Sequence, residues 1–267
     1  MKFTYLLISL LLVCSLTCYS QIDKQRFRNI KETKELTKAE LDEQLTKYNF
    51  SKLLISTDNS IIYGFIGENY QRIRIKIISA IKNLSSPELY DVYGKLMVKN
   101  NIDEFHGTIQ ISRIFELKVI DHGCEDDSLY KGMKGEFSII GSYFFSENTI
   151  QQHAGVFKGT FRSDYFLNRK NNVEYDNIED CSDGFTNNQF TGTWTSYKSG
   201  IIKKCNWGDY RIPNSGNFDI GAGDFSPGTS NPELGWQTYQ DQFLTDNNKS
   251  TAKAIQARKI EEAKWWL

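Results

Sequence analysis

From about residue 53 to residue 213 the chain reads as one short strand after another, with apolar and polar residues alternating at a period of two and no helix between the runs. The clearest run sets Ile73, Ile75 and Ile77 between Arg72, Arg74 and Lys76, which gives one face to a core and leaves a basic ladder on the other, read as a solvated sheet face. Similar runs occupy 91–99, 104–120, 135–146, 153–163, 188–197 and 201–212, and turn-forming pairs such as Asn100-Asn101, Asn171-Asn172 and Asn187-Asn188 bound many of them. Parallel neighbours would need helical crossovers, so the expected fold is mainly β: an antiparallel barrel or sandwich-like meander, with helices only at its flanks. A hydrophobic share of 39% over 267 residues is enough to fill such a core.

A strand device recurs within this region. Phe105-His106-Gly107-Thr108-Ile109, Phe157-Lys158-Gly159-Thr160-Phe161 and Phe190-Thr191-Gly192-Thr193-Trp194 all read Phe-x-Gly-Thr-large. With alternating side chains, each Gly lies between two bulky residues on one face, leaving a gap where a strand can bend or a cross-strand aromatic can lie on the backbone. The unequal spacings exclude a solenoid period.

The flanks differ in character. Residues 24–48 are highly charged, and Thr37-Lys38-Ala39-Glu40 is a capping box ahead of Leu41 and Leu45, which predicts a short helical arm within 21–50. Residues 214–230 form a Gly-, Asn- and Ser-rich connector. Asn231-Pro232-Glu233 then starts a helix expected to reach residue 245, with Trp236, Tyr239 and Phe243 on its sheet-facing side, and a last helical stretch runs from 251 to 267.

The first twenty residues have the form of a secretory leader: Lys2, an apolar run from Leu6 to Leu16, and small Ser20 before Gln21, where cleavage is expected. Neither Cys14 nor Cys18 follows a small residue, which favours a soluble product over a lipid anchor. No later segment approaches the length of a membrane helix. The expected location is secreted or periplasmic, with outer-membrane association left open. Cleavage leaves Cys124, Cys181 and Cys205. Cys124 and Cys181 sit in polar loops and are the expected disulfide; the alternative makes His122, Cys124 and Cys181 zinc ligands, without the paired spacing such sites usually show.

Charge and motif exclude several functions. With 32 basic against 33 acidic residues the formal charge is -1, so nothing steers the chain to nucleic acid. Only His106, His122 and His153 could serve a nucleophilic triad, and no nucleophile elbow, phosphate loop, HExxH or EF-hand pattern occurs. No catalytic residue and no cofactor is nominated. The densest polar and aromatic segment is Lys203-Lys204-Cys205-Asn206-Trp207-Gly208-Asp209-Tyr210-Arg211-Ile212-Pro213. A hairpin of 188–197 with 201–212 through Lys198-Ser199-Gly200 would bring Trp194 and Trp207 to one region of sheet beside Asp209 and Arg211. Those four are the candidate ligand-binding residues. The competing structural reading covers Trp207 with the helix at 232–245 and pairs Asp209 with Arg211 at the sheet rim.

Tyr63-Gly64-Phe65-Ile66-Gly67, Tyr93-Gly94-Lys95, the Phe-x-Gly-Thr strands and the Cys-Asn-Trp-Gly-Asp-Tyr-Arg-Ile-Pro segment together resemble uncharacterised bacterial secreted proteins with a lipocalin-like β-meander, over about residues 60–213. The leader likewise resembles those of Gram-negative envelope proteins. The resemblance implies an architecture and no activity. Three functions stand side by side: a non-enzymatic envelope protein binding a small apolar or glycan ligand or a protein partner; an inhibitor or immunity protein against a secreted toxin or hydrolase; and a carbohydrate-active enzyme using two facing carboxylates.

Overall fold

The computed structural model describes residues 32–119, 131–228 and 232–267. In chain order a short strand β1 (Glu32–Glu35) precedes helices α1 (Lys38–Lys47) and α2 (Ser51–Ile55). Then come β2 (Ile62–Ile66), β3 (Gln71–Lys82), β4 (Leu89–Val98), β5 (Asn101–Val119), β6 (Gly135–Glu147), β7 (Gly155–Leu167), β8 (Val173–Tyr175), β9 (Asn187–Ser196) and β10 (Ile202–Asp209). Helices α3 (Gln237–Asp241) and α4 (Ala252–Glu261) follow.

Hydrogen bonding passes from β5 through β4, β3, β2, β10, β9 and β7 to β6, every pair antiparallel, and β6 pairs back onto β5 from Leu117↔Glu136 to Phe105↔Glu147. Eight strands therefore close an up-and-down barrel, the all-β meander expected. Closure leaves these strands no free edge. Outside the ring, β1 pairs with the far end of β5, and β8 pairs with β7.

An eight-stranded barrel is just wide enough for its own side chains to fill. Here the filling is aromatic. Phe161 stacks on Phe190, Phe190 on Trp207 at 4.7 Å, Trp207 meets Tyr143 edge-on, and Tyr143 leads to Phe145 and Phe105. Ile73, Ile75 and Ile77 contribute to the same core. These side chains occupy the barrel interior. The repeated glycines are what allow the filling. Gly159 lies opposite Gly192 in register, and a Cβ on Gly192 would stand 2.2 Å from the Lys158 carbonyl and 2.5 Å from the Tyr143 hydroxyl. The anticipated cross-strand aromatic is therefore Tyr143.

The two ends of the barrel differ. At the base, α1 and α2 form a plug: Phe50, Leu53 and Leu54 are buried, the Phe50 ring meets Tyr165 edge-on, and the Phe50 N–H donates to the Tyr90 hydroxyl. The expected capping box is present, with Thr37 and Glu40 each accepting from the other's backbone. Two lysines of β3 hold the helix C-termini, where carbonyls lack helical partners. Lys82 donates to Leu45, Thr46 and Tyr48, and Lys76 to Ile55 and Thr57. The opposite end, with the β4–β5, β6–β7 and β9–β10 hairpins, carries no helix among the described residues.

The segment after β10 wraps the outside of the barrel, and here several expectations are corrected. The basic ladder of β3 is not a solvated face. Arg72 and Arg74 are buried beneath α3 and α4, both bonded to Glu261, which also accepts from the Thr238 hydroxyl. Burial alone would raise the Glu261 carboxyl, but its two guanidinium partners hold it below the ordinary value. The connector is not a bare linker. Phe218 and Phe225 join Phe65, Ile212, Trp236 and Tyr239 in a second apolar cluster on the outer face of β2. The helix expected through 245 is interrupted, because Gly235 adopts φ +88, a left-handed turn between a 3-10 turn at Pro232–Leu234 and the short α3. Trp236 and Tyr239 pack inward as expected, whereas Phe243 is exposed. Asn187-Asn188 is no exposed turn either: both residues are buried at the start of β9, where Asn187 bonds to the backbone of Asp164 and Asp176.

The expected leader at 1–20, His122, Cys124 and the expected helix start at Asn231 lie outside the described residues. Cys205 is a free, buried thiol, while Cys181 is bonded rather than free.

Candidate functional site

The open barrel end gathers polar groups that alternation points inward. In β6, Tyr143, Phe145 and Glu147 share the inner face, and in β5 Asp103 and Phe105 do so. These two strands thus each deliver a carboxylate where the apolar row ends. Glu147 is 4% exposed and accepts from the Trp194 indole N–H at 2.7 Å and from the Gly155 N–H at 2.6 Å, both at Oε2. Burial pushes its carboxyl up to about 7, against the pull of those two donors, with Asp103 adding to the rise. Asp103, also buried, is raised by the same cause and accepts from the Asn101 amide.

Over this floor the β6–β7 and β9–β10 hairpins are tied together. The Tyr197 N–H donates to the Ala154 carbonyl and its hydroxyl to the Glu147 carbonyl, so the position of one loop sets the other. The connection 198–200 turns at Gly200, φ +67, as its hairpin reading expects. His153 also sits at a left-handed φ of +63, uncommon for a residue with a side chain. Between the hairpins lies a pocket of about 630 Å³, walled by Trp194, Tyr197, Ser196, Ser199, Gln151, Gln152 and His153 with Lys198 and Lys203. The Lys203 ammonium stands 5.7 Å from the centre of the Trp194 ring. The indole N–H is engaged by Glu147, which leaves its ring as an apolar part of the wall beside Ile201 and Ala154.

The four candidate residues do not converge. Their hairpin forms, β9 with β10, and Trp194 and Trp207 both face the barrel interior. Trp194 pairs with Lys203 at the open end, however, while Trp207 pairs with Phe190 deep in the core. Asp209 lies at the base, 2% exposed, its Oδ2 accepting from Thr57, Tyr175 and Asn188. Burial raises its carboxyl to about 7 despite those three donors. Arg211 lies beyond β10, after Tyr210 turns the chain at φ +64, and its guanidinium bonds Asp219 and the carbonyls of Gly221 and Gly223. Asp209 and Arg211 thus take separate partners rather than each other, and Trp207 is covered by barrel aromatics rather than by a tail helix. Of the four, Trp194 alone lines the mouth pocket.

A second concavity of about 730 Å³ opens at the base rim, bounded by Thr57, Asp58, Phe166, Glu174, Tyr175 and Tyr210 among others. Asp209 stands behind its wall. Among the described residues no three His, Cys, Asp or Glu side chains gather as a metal site. Comparison with family models, curated proteins and solved structures yields no match.

Sequence reasoning missed Glu147, Asp103, Gln151 and Tyr197, and placed Lys203 in the dense polar segment without giving it a role. The signal for the two acids was nonetheless present, since both continue the inward parity of an apolar row (Tyr143, Phe145, Glu147 and Asp103, Phe105), where a carboxylate needs a partner.

Proposed function

We propose that this chain is a secreted, non-enzymatic binding protein that holds a small, polar, ring-containing ligand, of which a glycan is the type, at the open end of its barrel. The observation that carries this reading is the mouth pocket, where an immobilised indole stands among amide and hydroxyl side chains. Such a wall offers an apolar plane with hydrogen-bonding groups around it, the usual composition of a polar-ligand site. The filled interior argues against a buried apolar ligand. Secretion is supported by the leader-like first twenty residues. A binder is favoured over a carbohydrate-active enzyme because the Glu147 carboxyl is already occupied by Trp194 and Gly155 and stands behind the pocket wall.

The test is a titration of the folded protein against glycan and lipid panels, followed by indole fluorescence and calorimetry, with Tyr197→Ala and Arg211→Ala as paired variants. Glycan binding that Tyr197→Ala weakens about tenfold and Arg211→Ala leaves intact supports the mouth. Equal binding by parent and Tyr197→Ala places the ligand elsewhere.

A further inference from the structure

The titratable side chains on the mouth pocket are Lys198, Lys203, His153 and Tyr197, and no Asp or Glu lines it. Neither lysine has a carboxylate partner among the described residues. The acids of this barrel end, Glu147 and Asp103, are turned into the core, and Glu147 is bonded to Trp194 and Gly155. A second observation concerns a different group on the same wall: the Gln151 Oε1 atom is buried and accepts no hydrogen bond. A buried acceptor left unmade costs free energy that a donor from a ligand would recover. The pocket therefore combines positive charge that no carboxylate neutralises, an indole ring, and a glutamine whose enclosed amide oxygen gains a partner when its side chain turns to a ligand hydroxyl or amide N–H.

We propose that the mouth pocket prefers an anionic, hydroxyl-bearing ring, in the class of an acidic sugar, over its neutral counterpart. This rests on the reading of the mouth as the ligand site. The ligand's anion meets Lys203 and Lys198, a ring hydroxyl donates to Gln151, and the apolar side of the ring lies toward Trp194. Ammonium groups recognise carboxylate and phosphate alike as point charges, so the chemistry is that of an anionic sugar from either source. Both lysines are solvent-accessible, so the preference weakens with salt.

The experiment uses the full chain and three probes measured by calorimetry: a galacturonic acid trisaccharide, the matched neutral galactose trisaccharide and glucose 6-phosphate. The expected result is about tenfold tighter binding of the uronate than of the neutral sugar at low ionic strength, an advantage that shrinks at ~0.5 M salt. Lys203→Gln should weaken the uronate by ~3- to 10-fold and change the neutral sugar by less than about twofold; Lys198→Gln serves as the second variant should Lys203→Gln fail to fold. Tighter binding of glucose 6-phosphate than of the uronate supports the same anion chemistry and identifies phosphate as its source. Equal affinity for acid and neutral sugars, both weakened by Tyr197→Ala, overturns the preference and leaves the mouth reading in place. Binding of none of the three, with the wider panels also silent, overturns both.

Discussion

A Cβ on Gly107 would stand 1.9 Å from the Phe144 carbonyl oxygen, and one on Gly159 would stand 2.0 Å from that of Thr191. Both obstacles are backbone, and neither can rotate away. At Gly192 the obstacles are the Lys158 carbonyl and the Tyr143 hydroxyl, part of which can move. Replacing any of the three by Val is therefore expected to destabilise the fold by at least ~1–3 kcal/mol, with Gly192 the mildest. Urea midpoints of the three variants check this; unchanged midpoints would mean that the strands do not approach as described. These positions were legible because a motif repeated three times, with large residues on both sides, leaves few roles for a Gly. Asn187 and Asn188 were misread for the opposite reason. Asn marks turns through its own backbone contacts, and nothing local distinguishes that use from an amide that bonds Asp164 and Asp176 across a buried loop.

At the scale of elements, legibility followed length and capping. The ten-residue α1 announces itself through Thr37 and Glu40, whereas α2 has five residues and an N-cap, Phe50, whose side chain makes no capping bond. Its helicity comes from burial under the barrel, a tertiary cause that no local pattern carries. Helix α4, expected within 251–267, forms over Ala252–Glu261 with Thr251 as its cap, and what stayed hidden is the surface it covers. Its Glu261 binds Arg72 and Arg74, some 190 positions earlier in the chain, and Arg72 also lies over the Trp236 ring at 4.9 Å. An alternating Arg-Ile-Arg-Ile strand reads as half-solvated until the chain that returns to cover it is known. Removing the carboxyl leaves two buried guanidinium groups facing each other, and the breaking of a buried ion pair from one side typically costs ~3–5 kcal/mol. Glu261→Gln is expected to destabilise the protein by a cost near the lower end, since its amide oxygen can still accept one bond. Hydrogen exchange should show the loss of protection concentrated in α3 and α4. A variant as stable as the parent would mean that apolar packing alone holds the tail.

For the whole molecule, closing the sheet makes two unlike ends, and each has a buried carboxyl pushed up to about 7: Glu147 at the mouth and Asp209 at the base. Their ordinary values are 4.5 and 3.8, so between those values and 7 the folded state holds protons that the unfolded chain has released. Stability from these two groups therefore falls as the pH rises through that window and levels off above it. Glu261 acts in the opposite sense, because its lowered value contributes stability above the unfolded value that is lost as pH falls. A stability profile of the parent alone mixes these trends, and a difference between variants separates them. Both donors to Glu147 reach the same oxygen, so the Oε1 of Gln at this position can keep the bonds to Trp194 and Gly155 while removing the charge. Glu147→Gln is accordingly expected to match the parent near pH 4, below the ordinary value of 4.5, where the parent's carboxyl is protonated when folded and largely so when unfolded. Near pH 8 it should be more stable by ~1–3 kcal/mol, the part of the pKa difference that survives relaxation. Denaturant titrations at the two pH values check this. Equal destabilisation at both would show that the ionised carboxylate is needed by the native mouth, and that burial is not what governs its charge.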